Sequence, residues 1–116
     1  MKPELTSRFP ELAPFVAAVR EAYGTRLAGI YLFGSRARGD HRADSDYDVA
    51  VVLSDEDAVL WREVNRLADL ALESLLSRGV DIQAVPFRLT EWRPKGTQRD
   101  LAGAAQRDAI ELVAAE

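Results

Sequence analysis

Two spacings of hydrophobic residues alternate along the chain, one typical of helices and the other typical of strands. Residues 12–23 repeat apolar side chains every three or four positions and stop at Gly24, which predicts a first helix. Residues 27–34 (LAGIYLFG) are apolar at odd and even positions alike, which predicts a strand buried on both faces. The chain therefore opens with a helix followed by a buried strand.

The same alternation resumes after a polar loop. Residues 46–53 (DYDVAVVL) are rich in β-branched side chains and predict a second strand. Ser54 and the three acids behind it predict an N-cap and first turn for a helix that runs to about Ser77 and stops at Gly79. The predicted apolar stripe of this helix comprises Leu60, Val64, Leu67, Ala71 and Leu75.

The last third of the chain is less regular. Residues 80–87 (VDIQAVPF) predict a third strand that ends at Pro86. Residues 88–96 contain Pro94 and Gly96 and favour a loop, with room for a short edge strand. From residue 97 or 98 onward the spacing predicts a final helix, whose core candidates are Leu101, Ala105, Leu112 and Val113.

Strands that alternate with helices predict an α/β (α+β) domain, in which a small mixed sheet carries flanking helices. A length of 116 residues suits one domain spanning 1–116, with no room for a second substrate-binding domain. The absence of cysteine excludes disulfides, zinc–thiolate sites and thiol nucleophiles. The N-terminus does not resemble a signal peptide, and no apolar segment approaches the ~20 residues of a membrane span. We therefore expect a soluble cytoplasmic protein.

A pair of carboxylates stands at the start of the second strand. Asp46 and Asp48 share one face because side chains alternate along a strand, and two carboxylates so placed repel unless a cation lies between them. Oxygen ligands suit Mg²⁺ or Mn²⁺. Asp81 opens the third strand and would join the pair if the two strands are neighbours. Three carboxylates suit two magnesium ions about 3.5–4 Å apart.

A phosphate-binding element precedes these acids. Gly34 and Ser35 follow the first strand directly, and a glycine lets a phosphate approach the backbone while the serine hydroxyl donates a hydrogen bond to it. The sequence thus places a site for phosphates next to a site for cations. A metal–nucleoside triphosphate complex needs both.

The stretch from Gly34 to Asp48 fits the pattern GS-x10-DxD and resembles the DNA polymerase β-like nucleotidyltransferases. GSRARG followed by SDYDVAVVL is most similar to their minimal nucleotidyltransferase (MNT) group. The resemblance implies that Asp46 and Asp48 bind two Mg²⁺ ions. It also implies that Asp81 binds one of them and helps to activate the attacking hydroxyl, and that Gly34 and Ser35 hold the outer phosphates of ATP.

The MNT resemblance also suggests a partner, because MNT proteins serve as antitoxins in HEPN–MNT toxin–antitoxin modules. It implies transfer of AMP to a hydroxyl, with tyrosine favoured, of a HEPN toxin in a hetero-oligomer. A net charge of -4 suits a basic protein partner better than nucleic acid. Two alternatives stay open: a non-catalytic antitoxin that neutralises its partner by occlusion, and transfer to a small molecule of the aminoglycoside type.

Several other residues have two interpretations of similar weight. Arg36, Arg38 and Arg42 either contact phosphates or pair with nearby acids. Trp61 and Trp92 either belong to the core or face a partner. Sequence alone does not choose between these roles.

Overall fold

The computed structural model describes residues 8–92 and 107–113. Four strands form one sheet, namely β1 (Leu27–Phe33), β2 (Tyr47–Leu53), β3 (Ile82–Arg88) and β4 (Ile110–Val113). Their order in space is β3-β2-β1-β4. β3 runs parallel to β2, whereas β1 is antiparallel to both of its neighbours. This arrangement confirms the predicted small mixed sheet.

Four α-helices accompany the sheet within residues 8–92: α1 (Ala13–Tyr23), α2 (Ser35–Arg38), α3 (Leu60–Arg78) and α4 (Leu89–Trp92). Single 3-10 turns occupy Pro10–Leu12 and Gly24–Arg26. α1 matches the predicted first helix and ends at Gly24, whose φ of 54° favours glycine. In the described ranges, none of the helices has the length and apolar character needed to cross a membrane.

The sheet is buried on both faces, as the pattern of β1 predicts. Ile30 and Leu32 are fully buried in the larger core, which α1 and α3 cover. Phe33 belongs to a smaller core on the other face, where Trp92 packs with its ring centroid 5.0 Å from that of Tyr31. Trp92 is therefore a core residue, whereas Trp61 is 66% exposed.

The predicted start of the long helix at Ser54 is wrong. The backbone N–H of Ser54 donates to the Arg26 carbonyl at 2.7 Å, and its Oγ donates to the same oxygen at 3.1 Å. Asp55 forms an ion pair with Arg26 at 3.1 Å. These contacts bind the segment after β2 to the turn before β1, so α3 begins six residues later, at Leu60.

The predicted apolar stripe of α3 is also partly wrong. Leu67 and Ala71 are buried as expected, but Val64 and Leu75 are 46% and 42% exposed. Glu63 is buried instead, because it accepts hydrogen bonds from Tyr23 Oη at 3.0 Å and from the Arg26 guanidinium. The polar partners of Glu63 turn the helix relative to the orientation that hydrophobicity alone predicts.

Two predictions about the later elements need correction. Pro86 lies inside β3 opposite Val51 rather than ending the strand, and β3 is an edge strand of the described sheet, where a missing N–H is tolerated. Residues 110–113 form β4 instead of a helix, because they pair with β1, where Val113 lies opposite Ile30. Leu112 is fully buried, as predicted for a core residue. Residues 107 and 108 are helical, as predicted. The earlier part of the predicted final helix, with Leu101 and Ala105, lies outside the described residues.

Candidate active site

The two predicted carboxylates lie together at the start of β2. Asp48 pairs in register with Phe33, the last residue of β1, and Asp46 comes immediately before the strand. Tyr47 between them points into the larger core and is 9% exposed. The alternation of side chains therefore places Asp46 and Asp48 on the other face, as predicted.

The environment of Asp48 disfavours its charged form. Burial raises the pKa of Asp48 above the ordinary value for aspartate, and the nearby charge of Asp46 raises it further. Arg38 acts in the opposite direction but does not cancel these effects. A partly desolvated pair of carboxylates is a favourable environment for a cation.

The Gly34-Ser35 turn lies directly against this pair. Gly34 adopts φ 75° and ψ -156°, which is a conformation suited to glycine. A Cβ atom at this position would overlap the Asp48 carboxylate. The Gly34 carbonyl accepts hydrogen bonds from the backbone N–H groups of Ala37 and Arg38, both at 3.1 Å, which begins α2. The turn and the carboxylates thus form one continuous site.

Arg36 braces the loop between α2 and β2. Its guanidinium donates to the carbonyl of Ser45 at 2.8 Å and to that of Ala43 at 3.2 Å, and it lies 4.2 Å from the centroid of the Tyr47 ring. The hydroxyl of the same ring, Tyr47 Oη, donates to Glu11 at 2.5 Å. Burial of the ring and the carboxylate of Glu11 raise the pKa of Tyr47.

Tyr47 and Glu11 were not among the predicted site residues. The sequence did contain one indication. Tyr47 alternates with Asp46 and Asp48 along the strand, so its ring faces the core, where its hydroxyl needs a hydrogen-bond partner. The identity of that partner depends on the tertiary fold, because Glu11 lies 36 residues away.

The contacts of Arg38 and Arg42 differ from those of Arg36. Arg38 forms ion pairs with Asp40 at 3.2 Å and with Asp108 at 3.6 Å. Arg42 uses its backbone N–H to donate to Ser45 Oγ at 2.9 Å. In this structure Arg36 therefore stabilises the loop between α2 and β2, and Arg38 forms ion pairs with acidic side chains.

The third predicted acid, Asp81, lies at the same end of the sheet. Tyr47 pairs in register with Ile82, so β2 and β3 are neighbours as the prediction requires. The Tyr47 N–H donates to the Asp81 carbonyl at 2.9 Å. Asp81 is exposed, however, and it is one of the residues at a groove between β3 and α3. Over residues 8–92 and 107–113, no three acidic, histidine or cysteine side chains form a group able to hold a metal ion.

The residues present still fit Mg²⁺ in the presence of a nucleotide. Protein sites for Mg²⁺ often supply one or two carboxylates and leave the remaining positions to water and substrate phosphates. Asp46 and Asp48 supply such a pair, and Gly34 packs directly against the Asp48 carboxylate. Asp81 would be a further ligand if its side chain turned toward them.

Comparison with known proteins matches the part of the chain that contains the candidate active site. Residues 21–89, more than half of the chain, match the family described as polymerase beta, nucleotidyltransferase. A relative from Methanocaldococcus jannaschii, named "putative protein adenylyltransferase", is 39% identical over 71 residues. This match covers 61% of the present chain and 64% of the relative, which is less than two thirds of the relative's length.

Solved structures of several proteins share the fold. A structure described as a putative nucleotidyltransferase from Sulfolobus solfataricus superposes with a TM-score of 0.62 at 22% identity, covering 92% of this chain and 81% of the other. A toxin–antitoxin structure with AMP-PNP gives a TM-score of 0.57 at 20% identity, covering 88% and 73%. At these identities the likeness establishes the architecture.

Proposed function

The chain belongs to the polymerase beta nucleotidyltransferase family, and on that premise we propose that it transfers AMP from ATP to a hydroxyl of a HEPN-type toxin. The chain would thereby act as the antitoxin, with tyrosine as the favoured acceptor. The observation that carries this proposal is the contact between the Gly34-Ser35 turn and the Asp46–Asp48 pair. This contact supports the proposal because it holds the turn, to which we assign phosphate binding, against a partly desolvated carboxylate.

Each site residue has a definite part in the proposed reaction. Gly34 and Ser35 hold the outer phosphates of the nucleotide, and Asp46 and Asp48 hold the Mg²⁺ ions. The bound metal, once present, neutralises phosphate charge. Asp81, just before β3, assists removal of the proton from the attacking hydroxyl. The acceptor oxygen forms a bond to the α-phosphorus while the bond to the β-phosphate oxygen breaks, and pyrophosphate leaves. The chain's contribution is mainly positioning and electrostatics.

The choice of a protein acceptor is supported by two comparisons. The relative from M. jannaschii is named as a protein adenylyltransferase, and the solved structures that share the fold include toxin–antitoxin complexes. The net charge of -4 is suited to a basic protein partner. The combination favours a toxin as acceptor over a small molecule.

A second candidate function is neutralisation of the toxin by occlusion, without chemistry. The observation that favours it is an exposed apolar flank on α3, which would suit a pure binding module. Asp81 is exposed at a groove beside that flank, which is also compatible with a surface that only binds. The two candidates differ in whether the carboxylates are needed.

The deciding experiment is mass spectrometry of the protein encoded by the neighbouring gene after incubation with this chain, ATP and Mg²⁺. We expect the mass of one or more AMP groups, lost with Asp46→Ala but kept with Asp44→Ala, an exposed aspartate of the same loop. An unmodified partner that binds tightly to both variants would establish occlusion instead.

A further inference from the structure

One flank of α3 exposes a row of apolar side chains, here called the α3 row. Its members are Trp61, Val64, Leu72, Leu75 and Leu76, which are 66%, 46%, 50%, 42% and 74% exposed. At 1.5 Å per residue the row extends about 22 Å along the helix. Charged residues of α3 occupy the positions farther around the helix, so the row is a continuous apolar surface.

The α3 row forms one wall of a groove. The groove has a volume of about 200 Å³. Val64, Leu72 and Leu75 line it from the helix, and residues 81–84 line it from the start of β3. β3 is an edge strand of the described sheet, so its outer side is not paired with any strand of that sheet. An apolar helix flank beside an open strand edge is a surface that a polypeptide can cover.

The groove reaches the end of the sheet at which the candidate active site lies, although Asp46 and Asp48 are on the other face of the sheet. Its strand wall begins at Asp81, whose carbonyl accepts the N–H of Tyr47 at 2.9 Å, between the two carboxylates of β2. α3 also ends at Arg78, three residues before Asp81, so the C-terminal half of the row lies at the active-site end of the molecule. A chain seated in the groove would therefore reach the end of the sheet at which Asp46 and Asp48 lie.

We propose that the groove beside the α3 row is where the protein substrate docks, through an apolar segment flanked by basic residues. This inference rests on the proposed function, since it assigns the surface that presents the acceptor hydroxyl. Docking there would add affinity and orientation to those that the phosphate and carboxylate site supplies.

The charged side chains around the groove indicate which kind of partner docks there. Asp69 and Glu73 are exposed on α3 next to the row, and Asp81 supplies the charge of the groove in the part of the chain that the structure describes. Arg62 lies at the other, N-terminal end, 5.3 Å from the Trp61 ring centroid. Arg78 is exposed in the last turn of α3, so the charges around the C-terminal half of the row are those of Asp69, Glu73 and Asp81 against that of Arg78. This balance is acidic, and a second copy of this chain, with net charge -4, would meet like charge there. A basic partner would meet opposite charge.

The test measures binding and chemistry separately. The neighbouring gene's protein is titrated with this chain in the absence of nucleotide, and AMP transfer is then measured at several concentrations of that protein. Leu72→Glu should weaken binding by about tenfold or more and raise the KM for the protein in proportion, since it places a charge in a buried interface. Ala17→Glu, which adds the same charge to an exposed position of α1, is the matched control. Melting curves with ATP and Mg²⁺ verify that both variants fold and bind nucleotide.

The outcomes separate this inference from the proposed function. Unchanged binding and KM in Leu72→Glu, with transfer intact, would overturn the docking site and leave the transferase standing. Loss of binding in Leu72→Glu without any transfer by the wild type would support the docking site and reject the chemistry. Sedimentation that shows a wild-type dimer, dissociated by Leu72→Glu, would overturn the inference in favour of a second copy.

Discussion

Gly34 and Asp48 are in such close contact that a methyl group on Gly34 would overlap the Asp48 carboxylate. The GS turn and the carboxylate pair, separated by ten residues in sequence, therefore depend on each other's position. Gly34 is required for two reasons, since its φ of 75° also favours glycine.

The first prediction separates these two reasons. Gly39 has a similar φ of 85°, but no atom lies within 4 Å of the position that a Cβ on Gly39 would take. Gly39→Ala should therefore show backbone strain alone, about 1–2 kcal/mol. Gly34→Ala should destabilise the protein by more than this and abolish nucleotide transfer, because Asp48 must move. Urea unfolding and a transfer assay measure both effects. Equal losses in the two variants would contradict the role of the contact.

The second prediction concerns pH in the metal-free protein. The pKa of Asp48 is raised by folding, so the folded chain holds a proton at pH values where the unfolded chain has released it, and stability falls as pH rises through that interval. Asp48→Asn removes this penalty and should raise the melting temperature by a few degrees at pH 7. The difference should vanish below about pH 3.9, the ordinary aspartate value, where both states are protonated. A melting-temperature gain that persists at low pH would contradict the explanation.

The third prediction concerns metal and nucleotide. Mg²⁺ with ATP should stabilise the wild type by about 2.7 kcal/mol at a hundredfold excess over the dissociation constant. Asp48→Ala should lose most of this gain, whereas Asp44→Ala should keep it, because Asp44 is exposed in the loop. Thermal unfolding with and without a chelator measures the shift. No shift in the wild type at millimolar Mg²⁺ would count against a metal site.

The fourth prediction concerns Arg36. Arg36→Lys keeps the charge but loses the planar fork that holds the Ser45 and Ala43 carbonyls, so the loop before Asp46 should loosen. We expect a rise in the KM for ATP and faster protease cleavage within residues 40–45, with a stability loss of about 1 kcal/mol. Arg42→Lys is the control. Equal cleavage rates in the two variants would show that the hydrogen bonds of Arg36 do not hold the loop in place.

The fifth prediction concerns the buried cluster of Glu63, Tyr23 and Arg26, at the opposite end of the sheet from Asp48. Glu63→Ala leaves Tyr23 Oη and the Arg26 guanidinium without their partner and should destabilise the fold by about 3 kcal/mol. Glu73→Ala, on an exposed position of the same helix, should change stability by less than about 0.5 kcal/mol. Chemical unfolding compares them. A loss of stability in Glu63→Ala as small as that in Glu73→Ala would show that the cluster adds no stability.

The placement of Asp46, Asp48 and the GS turn was more predictable from sequence than the helices were. Asp46 and Asp48 share a face because strand alternation is a local property, and the GS turn follows its strand directly. Arg36 shows where sequence reasoning stops. Arg36 can either bind phosphate or hold the loop. It holds the loop when the carbonyls of Ala43 and Ser45 lie within hydrogen-bonding distance, and the path of the folded loop determines that distance.

The sequence by itself determined the presence and order of the three strands in the first 88 residues, the first helix, and the adjacency of the GS turn to the carboxylates, because these follow from short-range periodicity and sterics. It did not determine where the third strand ends. Tertiary structure alone decided the rest. Glu63 is buried because Tyr23 and Arg26 reach it from distant parts of the chain. Residues 110–113 form a strand because β1 offers an edge with which they pair. Hydrogen-bond partners far apart in sequence leave no local pattern, so only the fold reveals them.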